Sequence, residues 1–202
     1  MNYLYRFLFF IIGLFIMTFG VCLTIKADLG AGAWDALNVA LTEKIGFTIG
    51  TWVMAAGALL IIVNAILLKK RPDILAVITF VFIGFLIDFW MNIGFDAWQV
   101  EQFFVKLIAL ILGIAIIGFG ASIYLQAKFP LNPIDNFMMA IKARLRVNLM
   151  AAKTIGELIA LIPAYFLDGP IGVGTIIITF AVGPFIQLFF PSFEKLMQKL
   201  QV

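Results

Sequence analysis

With 202 residues, of which 64% are hydrophobic and 12% charged, and a mean hydropathy of +1.13, the chain is far more apolar than a soluble domain, where about half the residues are apolar and about a quarter charged. It has no histidine and a single cysteine, Cys22, inside an apolar run, which excludes an internal disulfide, a thiolate zinc site and histidine-based catalysis. Its net charge of +3 does not mark a nucleic-acid binder, because Lys and Arg fall in short clusters between apolar runs and not along one face.

The first apolar run, residues 7–25, follows Arg6 and is too long for the core of a secretory signal, and Lys26-Ala27-Asp28 after it forms no small-x-small cleavage site. It is expected to remain as a membrane helix. A helix needs about 20 mostly apolar residues to cross the hydrocarbon core. Five further stretches meet or approach that length: 51–68, 74–95, 106–126, 150–167 and 171–190. The stretch 150–167 carries Glu157 and Pro163, so a kink is expected at the proline. After the last stretch, Phe193, Leu196, Met197 and Leu200 recur at helical spacing beside Glu194, Lys195 and Lys199. That pattern predicts a short helix lying on the inner surface.

Along a six-span path, Arg6, Lys69, Lys70, Arg71, Lys128, Lys142, Arg144, Arg146, Lys153, Lys195 and Lys199 fall on one side, and Lys26, Lys44 and Lys106 on the other. Loops that stay in the cytoplasm hold the excess of Lys and Arg, so both termini are expected there, with Trp90 and Trp98 at the outer interface.

Set against itself at an offset of 100, the chain pairs Gly13, Ile16, Phe19, Gly20, Ala27, Asp35 and Ala40 with Gly113, Ile116, Phe119, Gly120, Ala127, Asp135 and Ala140. Ile78-Thr79-Phe80 meets Ile178-Thr179-Phe180, and after a one-residue slip Gly84 and Ile87 meet Gly183 and Ile186. The order of these matches favours a duplication into residues 1–100 and 101–202 within one integral membrane domain. Three spans per copy make the second copy enter the membrane from the opposite side. The expected fold is all-α and polytopic: six transmembrane helices as two inverted three-helix repeats, each with a short broken or re-entrant helix after its first span. In transporters built this way, the solute site lies where interrupted segments of the two halves meet.

The interruptions are ADLGAGAWDALNVAL, residues 27–41, and AKFPLNPIDNFMMAI, residues 127–141. Gly30 and Gly32 break the first, and Pro130, Asn132 and Pro133 break the second. Asn132 suits an N-cap and Pro133 the first helical position, which puts Asp135 at the third and, by alignment, Asp35 likewise. A helix from Ala33 to Glu43 reaches about 16 Å, roughly half the hydrocarbon thickness, and cannot span. An acid in a first turn accepts from free backbone N–H groups and complements the helix dipole, so capping alone accounts for both aspartates. A solute path beside them is the other reading. Trp34 reads as an interface anchor.

Charge inside a span is expensive, which singles out Asp88, whose repeat counterpart is Gln187, and Glu157, four residues after Lys153. A local pair with Lys153 explains Glu157 without any site, and a hydrogen bond to a neighbouring helix does the same for Asp88. Gly13 with Gly20, and Gly113 with Gly120, lie two turns apart on one face and predict close packing of the first helices of the two repeats. Gly172, Gly174 and Gly183 are read as further packing glycines, because Gly172-Val173-Gly174-Thr175 lacks the spacing and the lysine of a phosphate loop.

Leu29-Gly30-x-Gly-x-Trp34-Asp35-x-Leu37 followed by Ile45-Gly46-Phe47-Thr48-Ile49-Gly50-Thr51, with Gly172-Val173-Gly174-Thr175 and Gly183-Pro184-Phe185-Ile186 later on, resembles the YczE/YyaS/YitT family of bacterial integral membrane proteins over nearly the whole chain. In the family pattern a proline often precedes the Trp-Asp pair, where this chain has Ala33. The resemblance implies a multi-span protein of the bacterial cytoplasmic membrane and brings no substrate with it.

The leading expectation is a small transporter or permease. Its solute path would run by Gly30, Gly32, Trp34, Asp35, Asn132, Pro133 and Asp135, with Asp88, Glu157 and Gln187 as further polar positions, and the helix N-termini would favour an anionic or carbonyl-bearing group. The alternative, from another class, is a non-transporting accessory or scaffold subunit, including the substrate-binding subunit of a larger importer. No catalytic or metal-ligand arrangement stands out, so neither enzyme activity nor a metal or cofactor is expected. The expected partners are the lipid bilayer, a small solute, and a second copy or another membrane protein, with no nucleic acid.

Overall fold

The structure, a computed structural model, describes residues 3–99 and 101–200. Among the described residues eight α-helices follow one another: α1 (Tyr3–Lys26), α2 (Ala33–Ile45), α3 (Ile49–Leu68), α4 (Ala76–Phe89), α5 (Phe103–Tyr124), α6 (Pro133–Leu145), α7 (Leu149–Phe166) and α8 (Val173–Leu200). A π-helical turn, Trp90–Gly94, prolongs α4, and a 3₁₀ turn, Leu125–Ala127, closes α5. There is no strand among the described residues. Six helices among the described residues are long and apolar enough to cross a membrane, namely α1, α3, α4 with its π turn, α5 with its 3₁₀ turn, α7 and α8. α2 and α6 have 13 residues each and reach about 20 Å, well short of the roughly 30 Å of hydrocarbon.

Helix ends follow from local chemistry. Thr48 and Asn148 cap α3 and α7, their side-chain oxygens accepting from Thr51 N at 3.1 Å and Ala151 N at 2.8 Å. The chain leaves its helices through left-handed residues at Asp28 and Lys128, at Gly46 and Arg146, and at Lys69 and Asp168. The described region of the expected surface helix at the C-terminus belongs instead to α8, which continues through Pro184 and Pro191 to Leu200. No left-handed residue interrupts it there, and a proline alone kinks a helix more readily than it ends one.

The chain forms two compact units, each drawing on both sequence halves: one from the stretch up to Gly32, Leu86–Phe129 and the stretch from Pro170 on, the other from Ala33–Phe85 and Pro130–Gly169.

In the first unit α1 and α5 pack antiparallel through four glycines, as the spacing predicted. A Cβ at Gly13 would overlap the Tyr124 backbone, one at Gly120 would overlap Met17 N, and one at Gly20 would stand 2.8 Å from Gly113 O. Such close approach needs residues without side chains. The Cys22 thiol donates to Ile87 O at 3.7 Å, and the Ser122 hydroxyl to Ile186 O at 3.1 Å. At the ends of this helix pair, Arg6 donates to the Ala127 and Lys128 carbonyls at 2.6 and 2.7 Å, and Lys106 pairs with Asp28 at 2.6 Å. Trp90 is more than an interface marker: its ring packs on Phe15 and Phe19, and its Nε1 donates to Phe15 O at 3.2 Å.

In the second unit α3 carries α4, Gly57 receiving the Phe80 ring and Gly84 lying against Gly50 O and Met54. Leu60, Phe137, Ile141 and Ala152 form a core that gathers α3, α6 and α7, with Trp34 of α2 packed against it. α2 also packs on α7, and a Cβ at Gly169 would stand 2.7 Å from Ala36 O. At the end of α2, Lys44 pairs with Asp168 at 2.7 Å.

Candidate functional site

The entry to α2 is set by glycines. Gly30 has φ +108° and lies so close to Gly172 N and Thr175 Oγ1 that a side chain there would clash as well as strain the backbone. Ala31 N donates to Pro170 O at 2.9 Å and Gly174 N to Leu29 O at 2.7 Å, so Gly172 and Gly174 do serve close packing. The entry to α6 follows the expected pattern: Asn132 is the N-cap, its side-chain oxygen accepting from Ile134 N at 3.3 Å, and Pro133 is the first helical residue. With Ala33 and Pro133 first in their helices, Asp35 and Asp135 both stand third.

The first turns of α2 and α6 meet. The rings of Trp34 and Phe137 lie edge to face with centroids 6.1 Å apart. Beside them Trp34, Ile134, Asp135, Phe137, Met138, Lys153, Gly156 and Glu157 line a cavity of about 50 Å³, room for roughly three to five water molecules at about 10–15 Å³ each. Gly156 leaves space that a larger α7 residue would fill: a Cβ there would come only into ordinary contact with Ile141 and Phe137, at 3.7 and 3.8 Å. Glu157 is within electrostatic range of Lys153 and Asp135, and Asp35 within range of Glu157. Asp35 keeps part of its surface. The protein packed around its carboxyl, and secondarily the Glu157 carboxylate, pushes it up to about 7.

The structure therefore gathers Trp34, Asp35, Asp135 and Glu157 from the sequence candidates, with Asn132 and Pro133 setting the start of α6. Trp34 is packed against the cavity wall where an interface anchor was expected. Asp88 and Gln187 belong to the other compact unit and do not line this cavity; Gln187 is exposed. Gly183 departs from its expected packing role, since a Cβ there would meet nothing within 4 Å.

Two residues were missed in the sequence. Asn38 of α2 and Asn64 of α3 are 2% and 7% exposed, and the side-chain oxygen of each has no hydrogen-bond partner among the described residues. Asn64 gave a usable signal, a lone polar residue in the apolar run Ile61–Leu68, and its Nδ2 donates to Pro133 O at 3.0 Å. Asn38, in a helix of mixed polarity, gave none.

The family described as "Family of unknown function (DUF6198)" matches residues 4–191. The chain is 34% identical over 190 residues to "Uncharacterized protein YyaS" of Bacillus subtilis, covering 94% of each. It is 32% identical to "Uncharacterized membrane protein YczE" of the same organism, over 95% of this chain and 88% of the relative. An "Uncharacterized protein" of Haemophilus influenzae is 22% identical over 90% of this chain and 81% of its own length. No solved structure matches the chain.

Proposed function

The chain belongs to the YczE/YyaS family, described as a family of unknown function (DUF6198), and as a multi-pass membrane protein of that family we propose that it is a small transporter whose solute path passes the cavity between the first turns of α2 and α6. The observation that carries this reading is the meeting of two non-spanning helices, one from each sequence half, at a cavity that also holds Lys153 and Glu157. Interrupted backbone at membrane depth is tolerated where protein or a water-filled cavity covers it, and transporters place their sites at such breaks.

An inverted duplication is part of the same proposal. Left-handed helix ends recur at Asp28 and Lys128, Gly46 and Arg146, and Lys69 and Asp168, at offsets of 100, 100 and 99. The caps Thr48 and Asn148, and the bonds from Cys22 to Ile87 O and from Ser122 to Ile186 O, follow the same offsets. Agreement of backbone and hydrogen bonds at matched positions supports a common ancestor for the halves better than sparse identities do. We further place the protein in a bacterial cytoplasmic membrane with both termini inside, on the strength of its Lys and Arg distribution.

The test is access. In a Cys22→Ala chain, Met138→Cys and Gly156→Cys are exposed in intact and permeabilised cells to a small charged thiol reagent that cannot cross lipid. Reaction at both positions, from at least one side, is the expected result. Protection of both in the folded protein, with a loop cysteine at Lys70 reacting as a control, would leave a sealed cavity and overturn the solute path. The search would then turn to partner subunits.

A further inference from the structure

The left-handed helix ends offer an internal comparison, because matched positions share a backbone conformation and differ in charge. Asp28 is matched by Lys128, Gly46 by Arg146 and Asp168 by Lys69. In each pair the Lys or Arg belongs to the side proposed to face the cytoplasm. The backbone does not select these cations, since a left-handed residue is most easily glycine. Nor does the helix dipole, which favours a cation at every helix end yet meets Asp at two of them. Both aspartates have partners within the protein, Asp28 with Lys106 and Asp168 with Lys44. The cations of the second unit differ in this respect. Lys69, Lys70 and Arg71 follow α3, Lys142, Arg144 and Arg146 end α6 or follow it, and all six are exposed. None of them forms an ion pair among the described residues, and neither does Asp73 beside the first cluster. Leu67, two residues before Lys69, and Val147, next after Arg146, pack against the same core of Leu60, Phe137, Ile141 and Ala152, so both clusters leave one core. Exposed apolar side chains flank them, Ile66 and Ile74 around the first, Leu145 and Met150 around the second. Cations interleaved with exposed apolar groups suit the boundary between hydrocarbon and headgroups, where the stem lies in one and the charge in the other.

We propose that the two clusters form one docking surface for anionic phospholipid headgroups. The inference stands apart from the solute path and needs neither the cavity nor transport. Like charges gathered without counter-charges repel one another, and an anionic lipid surface supplies the missing anions. The guanidinium forks of Arg71, Arg144 and Arg146 match phosphate oxygens in pairs, and the lysines add point charges. A zwitterionic headgroup brings its own cation together with its phosphate and leaves the surface uncompensated, so phosphatidylglycerol is selected over phosphatidylcholine. Because the groups are exposed, salt screens the attraction.

The experiment reads which lipid stands beside the surface. Purified full-length protein with Cys22→Ala and Leu145→Cys carries a small fluorophore at 145, between Arg144 and Arg146. It is reconstituted into vesicles of phosphatidylcholine with a minority of phosphatidylglycerol, in which an equal amount of one lipid or the other bears a nitroxide quencher near its headgroup. Both leaflets have the same composition, so the direction of insertion does not matter. The expected result is quenching at least twofold stronger with labelled phosphatidylglycerol than with labelled phosphatidylcholine, falling to equality in molar salt. Lys69→Gln, Lys70→Gln and Arg71→Gln together leave the labelled helix untouched and at least halve the excess. A fluorophore placed by Phe47→Cys, on an exposed residue before the opposite end of α3, shows no preference. Equal quenching by the two lipids at 145 overturns the proposal and turns the search toward an acidic protein surface. An excess that survives molar salt or the triple substitution, or that is as large at 47, overturns it too. If the triple variant fails to fold, the salt series and the comparison with 47 decide.

Discussion

Asp35 and Asp135 occupy the same position in their helices, and at Asp35 the surroundings outweigh the capping role that position suggests. An acid that only caps a helix is stabilised as carboxylate and titrates low. Asp35 titrates high, at about 7 against an ordinary 3.8, because the surrounding protein disfavours its charge and Glu157 adds to the effect. The sign of the resulting pH dependence follows. A carboxyl raised in the folded state binds its proton more tightly there than in the unfolded chain, so its stabilising contribution is complete below about 3.8 and is lost as pH rises through about 7. Asp35→Asn, which keeps the shape and removes the titration, is expected to be more stable than the wild type above pH 7 and to lose the part of the pH dependence that falls between those values. Thermal unfolding in detergent across that range measures the difference, at about 2–4 °C for each kcal/mol in a chain of this size. A midpoint for Asp35→Asn that tracks the wild type at every pH would show that the carboxylate sits in ordinary solvent.

At the scale of elements, glycine separates what spacing reveals from what it does not. Gly13, Gly20, Gly113 and Gly120 could be read as a packing seam because two such pairs recur on one helix face, and α1 and α5 do close on them. Gly183 matches Gly84 in the sequence, yet Gly84 is pressed against Gly50 O and Met54 while Gly183 faces open space. What a glycine does depends on what stands opposite it, and that is not written on its own helix. The starts of both short helices, and the end of the first to within two residues, were legible because glycines, prolines and an N-cap mark them. Their meeting at Trp34 and Phe137 was not, since no local pattern specifies a contact between residues a hundred positions apart. Substitution exposes the contrast. Gly120→Val forces side-chain atoms into the Met17 backbone and is expected to destabilise by about 1–3 kcal/mol or more, whereas Gly183→Ala is expected to leave the thermal midpoint unchanged. Equal effects at the two positions would mean that α1 and α5 are not held as closely as described.

For the whole molecule, the arrangement of the halves turns on which side of the membrane each short helix ends. Lys44 near the end of α2 and Arg144 near the end of α6 are equivalent under the offset of 100. In a parallel duplication they would face the same compartment. In the proposed inverted arrangement, with three spans per copy, they would face opposite ones, and the side bearing Arg144 would also bear Lys142, Arg146 and the Lys69 to Arg71 cluster, as the excess of Lys and Arg in the cytoplasm requires. Lys44 is paired with Asp168 at the end of α7, so the outer surface is expected to gather both. Single cysteines at 44, 70, 144 and 168 in the Cys22→Ala chain decide the matter with an impermeant maleimide. The expected pattern is labelling at 44 and 168 in intact cells, and at 70 and 144 only after permeabilisation. If 44 and 144 label together in intact cells, the halves are not inverted, the first turns of α2 and α6 do not approach the cavity from opposite sides, and the proposed solute path past it loses that structural support.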